Sequence, residues 1–255
     1  MSFISARELA ADRDSYVVID CDLLALFEEG HIPGAYHAPC RYWKGDGQDG
    51  GLYGIESTER FAQLVANWGI CEGVTVVAYD RSGGLNASRL AWTFERFGCS
   101  DIFVLDGGVM AWEEAGFELS KDLAEPKETQ IGFSEPSFKT YATLDDVLAA
   151  QSDEGHLLWD DRSLAEWERG RIPGSRHLDW KELLTDDGSL HPKEELQNRL
   201  KAAEILPDKC VIVYCLGGVR AAHSYWVLKS LNYPHIRVYD GSWAEYKKSG
   251  SPIES

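Results

Sequence analysis

Short runs of aliphatic and β-branched residues recur along the chain, separated by segments whose apolar residues fall three or four apart. Residues 157–160 (Leu-Leu-Trp-Asp), 211–214 (Val-Ile-Val-Tyr) and 236–239 (Ile-Arg-Val-Tyr) have the length and the residue types of buried strands. After Tyr214 comes a glycine-containing loop, and then Ala221, Tyr225, Leu228 and Leu231 at spacings of 4, 3 and 3. That spacing predicts one apolar face of a helix. Strands alternating with helices predict a parallel, doubly wound α/β sheet, with chemistry at the carboxyl ends of its strands.

The same pattern occurs twice. Gly30-His31-Ile32-Pro33-Gly34-Ala35 returns as Gly170-Arg171-Ile172-Pro173-Gly174-Ser175, an offset of 140. Val17-Val18-Ile19-Asp20 matches Leu157-Leu158-Trp159-Asp160 at that same offset. Val76-Val77-Ala78-Tyr79 matches Val211-Ile212-Val213-Tyr214 at 135, and Leu105-Asp106-Gly107 matches Tyr239-Asp240-Gly241 at 134. Order is kept while the offset drifts by a few residues, which is the mark of a tandem duplication with small loop deletions. The stretch 120–138 is polar, carries Pro126 and Pro136, and has no sustained periodicity. The expected layout is a first domain over 1–122, a linker over 123–137 and a second domain over 138–255, each copy of ordinary small-domain size.

Charge narrows the range of partners. Lys and Arg number 25 against 42 Asp and Glu, a net charge of −17, which repels nucleic acid and anionic membrane surfaces. No apolar run reaches the ~20 residues of a membrane span, and the first residues lack the basic stretch and apolar core of an export signal. A cytoplasmic protein is expected. The six cysteines (Cys21, Cys40, Cys71, Cys99, Cys210, Cys215) form no Cys-x-x-Cys pair and no Cys/His cluster, so neither a zinc site nor a disulfide framework is expected, and most should be reduced thiols.

One cysteine is placed differently from the rest. In Tyr214-Cys215-Leu216-Gly217-Gly218-Val219-Arg220-Ala221 a thiol stands where a strand ends and a loop begins, with a helix following at once. Adjacent glycines let successive backbone N–H groups turn inward, and inward amides at a helix N-terminus make an anion-binding concavity. A thiol at its centre should ionise more easily, and Arg220 adds a fixed charge suited to an oxyanion. The matching stretch of the first copy reads Tyr79-Asp80-Arg81-Ser82-Gly83-Gly84. Aligned by tyrosines, Asp80 stands opposite Cys215; aligned by glycines, Arg81 does. Neither can carry a sulfur atom.

Both Ile-Pro-Gly turns, both Asp-Gly segments followed by Trp112 or Trp243, and the loop from Cys215 to Arg220 together resemble the tandem-domain rhodaneses, the family of thiosulfate and 3-mercaptopyruvate sulfurtransferases. The resemblance covers nearly the whole chain. It implies two rhodanese-like doubly wound domains, each a parallel sheet flanked by helices, with a silent first copy and a catalytic second. It also implies a cofactor-free reaction in which Cys215 takes a sulfane sulfur from a small anionic donor and carries it as a persulfide. The acceptor would then be cyanide or a thiol, a thioredoxin-like protein among the candidates. The backbone of Leu216, Gly217, Gly218 and Val219 and the side chain of Arg220 would bind substrate. Arg162, in Asp160-Asp161-Arg162, would be a further anion contact or would pair with Glu166 one turn on.

Departures from the family pattern leave the donor open. Leu216 stands where thiosulfate enzymes place a basic residue, and Gly217 where mercaptopyruvate enzymes place serine. The spacing Cys-x4-Arg is one residue shorter than the Cys-x5-Arg of phosphatases sharing this fold. Besides the enzyme, a non-enzymatic persulfide carrier serving a protein partner fits the same residues.

Overall fold

The computed structural model describes residues 2–38 and 57–255, so Cys40 lies outside the described residues. The first copy runs β1 (Phe3–Ile4), α1 (Ala6–Ala11), β2 (Tyr16–Asp20), α2 (Leu24–Glu29), β3 (Tyr36–His37), α3 (Thr58–Val65), β4 (Thr75–Tyr79), α4 (Leu85–Arg96), β5 (Ile102–Leu105) and α5 (Gly108–Glu114). The second repeats it as β6 (Tyr141–Ala142), α6 (Leu144–Ala150), β7 (His156–Asp160), α7 (Leu164–Glu168), β8 (Arg176–His177), α8 (Lys193–Ala202), β9 (Cys210–Tyr214), α9 (Val219–Ser230), β10 (Ile236–Tyr239) and α10 (Ser242–Lys248). The sheets are ordered β1-β5-β4-β2-β3 and β6-β10-β9-β7-β8, and every ladder between these strands is parallel. Each sheet therefore needs helices on both faces, and β4 and β9, central in their sheets, are buried over their last four residues.

Helices α4 and α9 pack against each other between the two sheets, so one hydrophobic core spans both copies, with Trp92 and Trp226 fully enclosed in it. The helix α9 is buried at every position from Ala221 to Leu228. Its apolar spacing predicted a single buried face; the far side is covered as well, because α4 takes the place of solvent there. Polar anchors fix the contact. Trp226 Nε1 donates to the Ser2 carbonyl (2.7 Å), Trp92 Nε1 donates to the Thr140 carbonyl (3.2 Å), and the Arg89 guanidinium on α4 forks onto the Asp240 carboxylate beyond β10.

Segment 123–137 is irregular yet held along the first copy. Lys127 and Thr129 donate to Asn67 and Ala66, and Ser134 and Ser137 donate to Phe97 and Arg96. Among the described residues no helix is long and apolar enough to cross a membrane.

Candidate active site

The strand Cys210–Tyr214 delivers Cys215 to the carboxyl edge of the second sheet. Two devices turn the chain there. Gly218 adopts φ +83° as the residue before α9, and a Cβ on it would lie 2.1 Å from Asp240 Oδ1, so only glycine fits. The first turn of α10 draws the loop carbonyls away from the site, Trp243 N–H bonding Cys215 O (3.0 Å) and Ala244 N–H bonding Leu216 O (3.1 Å). With the carbonyls held outside, the amides face in. Gly218 N–H lies 3.0 Å and Gly217 N–H 3.4 Å from Cys215 Sγ.

A serine that the sequence reading passed over completes the cradle. Ser242 Oγ accepts from the N–H groups of Cys215 and Gly218, both at 3.1 Å, donates to Tyr239 O (2.7 Å), and lies 4.0 Å from Sγ. Ser242 holds φ +52°, a strained conformation for a side-chain-bearing residue. Its counterpart after Asp106-Gly107 is Gly108, at φ +54°, so the hydroxyl is a feature of the second copy alone.

Cys215 opens onto a cavity of about 260 Å³ formed on one side by the loop from Cys215 to Arg220 and on the other by Leu85 and Asn86 of the first copy. Those two residues begin α4 as Val219 and Arg220 begin α9, so the repeat's own symmetry sets two helix N-termini across the mouth. Cys215 is 2% exposed. Burial, with the nearby Asp161 carboxyl second, pushes its thiol up, while Arg220 and the loop amides pull the other way. The expectation of an easily ionised thiol is corrected here: desolvation outweighs the cradle.

The cations are committed elsewhere. Arg220 makes two hydrogen bonds to Glu166 (2.7 and 3.0 Å), and that contact, despite partial burial, drives the Glu166 carboxyl down to about 2. Arg162 does not line the cavity. It is 1% exposed, bonds Asp160 through Nε (2.9 and 3.0 Å) and NH2 (2.5 Å), donates to Gly170 O (2.7 Å), and stacks 4.6 Å from the Trp243 ring. Its partner is Asp160, not Glu166, because a carboxylate with no exposed surface needs a countercharge. The first copy meets the same need from another position. There Arg81 reaches Asp22 (2.8 Å), Gly30 O (2.5 Å) and, at 3.9 Å, the buried Asp20. Arg171 likewise pairs with a carboxylate, Glu254 (2.6 Å).

The first copy's loop also settles its alignment. Tyr79 and Tyr214 take equivalent places, each hydroxyl accepting from Ile32 or Ile172 N–H, so Asp80 stands where Cys215 does and the loop before Gly84 is one residue longer. The Asp80 carboxylate accepts from the N–H groups of Ser82 (2.7 Å) and Gly84 (2.9 Å) at one oxygen and from Asn86 (2.7 Å) and Ala87 (2.9 Å) at the other. The first cradle is filled by its own side chain.

The remaining polar residues are structural. His31 bonds Phe27 O and Asp122 O, while His37 and His177 bond Asp22 O and Arg162 O. Cys71, Cys99 and Cys210 are free thiols, and Cys21 is buried.

The rhodanese-like domain model matches residues 5–115 and again 143–249. The chain is 31% identical over 249 residues to the sulfur carrier protein TtuD of Thermus thermophilus, covering 89% of this chain and 86% of that protein. It is also 31% identical over 264 residues to a provisionally named thiosulfate sulfurtransferase of Mycolicibacterium smegmatis, covering 96% and 93%. The fold matches the anaerobic ergothioneine biosynthesis enzyme of Chlorobium limicola with a TM-score of 0.88 at 20% identity, over 99% of this chain and 70% of that one. Two domain matches in tandem, across two parallel sheets of one topology, make this chain a member of the rhodanese-like family, whose chemistry is the transfer of sulfur.

Proposed function

We propose that the chain is a sulfurtransferase working through a persulfide on Cys215, with thiosulfate or 3-mercaptopyruvate as donor. The observation that carries this reading is the Cys215 sulfur at the floor of a small cavity, with the Gly217 and Gly218 amides aimed at it. The thiolate attacks the outer sulfur of thiosulfate; the new S–S bond forms as the old one breaks, and sulfite leaves with the bonding pair. With 3-mercaptopyruvate the C–S bond breaks instead, and the carbon takes a proton to give pyruvate. Cyanide or a thiolate then removes the outer sulfur and returns Cys215 as thiolate. Inward amides stabilise the anionic persulfide, the role that preorganised donors play at any developing negative charge. The cavity volume, about 260 Å³, is below the usual range for drug-sized ligands and suits donors of this size.

Cys215→Ser should reduce sulfur transfer from both donors to the background rate while leaving the fold intact. Transfer retained by that variant would overturn the proposal.

One observation favours a carrier role as the second reading. Among the described residues lining the cavity Arg220 is the single cation, and Glu166 already neutralises it. A donor delivered on a protein thiol needs no such charge. Negligible turnover with both small donors, together with a stable extra 32 Da on Cys215 after incubation with a persulfide-bearing protein, would select the carrier.

A further inference from the structure

Asp161 is fully buried beside the nucleophile. Asp160 pairs in register with Tyr214, and Asp161 N–H bonds Tyr214 O (3.1 Å). Asp161 and Cys215 are therefore the next cross-strand neighbours of β7 and β9, strands about 4.8 Å apart. Ser224 Oγ on α9 donates to Asp161 Oδ2 (2.8 Å), but Oδ1 is buried with no partner. Leaving a buried carboxyl oxygen unanswered is costly, and packing alone would be served better by an apolar residue. The first copy holds the same two groups exchanged. Cys21 N–H bonds Tyr79 O (2.9 Å), which places a buried thiol at the Asp161 position and the Asp80 carboxylate at the Cys215 position. In each copy one thiol and one carboxyl sit side by side at the strand ends.

We propose that Asp161 is a positioning residue that acts through Cys215: the pair carries one negative charge, and Asp161 holds the thiol's proton whenever the sulfur is anionic. The inference rests on Cys215 as the reacting sulfur. In the resting site the carboxylate is charged and the thiol neutral. As the sulfur attacks, its proton passes to Asp161, so the persulfide anion stands beside a neutral carboxyl. When an acceptor removes the outer sulfur, the proton returns to Cys215. The proton that leaves Cys215 in the first step returns to it in the second, so charge balances at each step.

The surroundings suit this role. Burial holds the Asp161 carboxyl well above the usual carboxylate range, with Asp160 and Asp179 adding to it while Ser224 and Arg220 oppose it. His223, buried on α9, is held down to about 4 and adds no charge at neutral pH, and the Tyr225 hydroxyl, also buried on α9, is pushed up and stays neutral.

The test is the pH dependence of iodoacetamide alkylation at Cys215, followed by mass spectrometry of its peptide in the full chain. With that one charge already on the pair, ionising the thiol to solvent would add a second; Asp161→Asn leaves the thiolate as the only charge, so the midpoint should move down by about one pH unit or more, the size expected for a like charge at this range. Asp161→Ser, smaller and also neutral, should shift it the same way and covers the case in which the asparagine variant does not fold. Superimposable profiles would overturn the proposal, as would a change in melting temperature with no change in midpoint. Alkylation needs no sulfur donor, so this result is independent of whether the chain transfers sulfur.

Discussion

At the scale of single residues, the site turns on which charges are already answered. Arg220 faces the cavity but is bound to Glu166, whose carboxyl is held at about 2. A depressed carboxylate contributes stability that is present above its unfolded pKa and is lost as pH falls toward the folded one. Thermal melts of Glu166→Gln should accordingly lose part of the acid sensitivity between about pH 4.5 and 2. The same variant releases the Arg220 charge, so KM for thiosulfate should fall severalfold with little change in kcat. A rise in KM would mean that Glu166 holds Arg220 in place for the donor. Arg162 shows why such assignments are hard to make from a motif. Asp160-Asp161-Arg162 shows that an arginine follows a strand end, but not that Asp160 is sealed from water and claims it. The first copy answers Asp20 with an arginine 61 positions away, which no local pattern displays.

Among the elements, the loop from Cys215 to Arg220 was legible because nucleophile, glycines and helix start are contiguous in the chain. Its supports were not, since Ser242 and Glu166 reach it across 27 and 54 residues. The comparison of copies does carry a signal for Ser242, which replaces the left-handed Gly108. Helix α9 was legible from its apolar spacing, though its burial on every side depends on α4 and could not be read from its own sequence. Their contact is anchored by Arg89 and Asp240, both nearly without exposed surface. Arg89→Met should cost about 3–5 kcal/mol in urea unfolding, because it strands the Asp240 charge. Adding Asp240→Asn should recover most of that loss. If the double variant is no more stable than the single one, the pair is not what joins the helices.

Across the whole molecule, the duplicated α/β architecture followed from strand runs recurring in fixed order, and the structure has that architecture. What the repeat could not convey is that the two halves share one core and build the mouth of one cavity. His223, opposite Arg89 in the repeat, lies in that shared core with neither ring nitrogen bonded and its pKa lowered by burial to about 4. A histidine kept neutral in the fold gives stability that is complete above its unfolded pKa of about 6.5 and is lost as pH falls toward 4. Across that window the loss should approach about 3 kcal/mol, and His223→Leu should flatten it in urea titrations repeated at each pH.

The carboxylate that Asp80 presses into its own cradle has a consequence for the first half. A side chain that satisfies four amides leaves no room there for an outside anion, and the loop is one residue longer than its counterpart. A cysteine placed at position 80 would therefore sit in a loop of the wrong length; a deletion would have to come first. What the first half offers its twin is a wall, Leu85 and Asn86 at the mouth of the cavity.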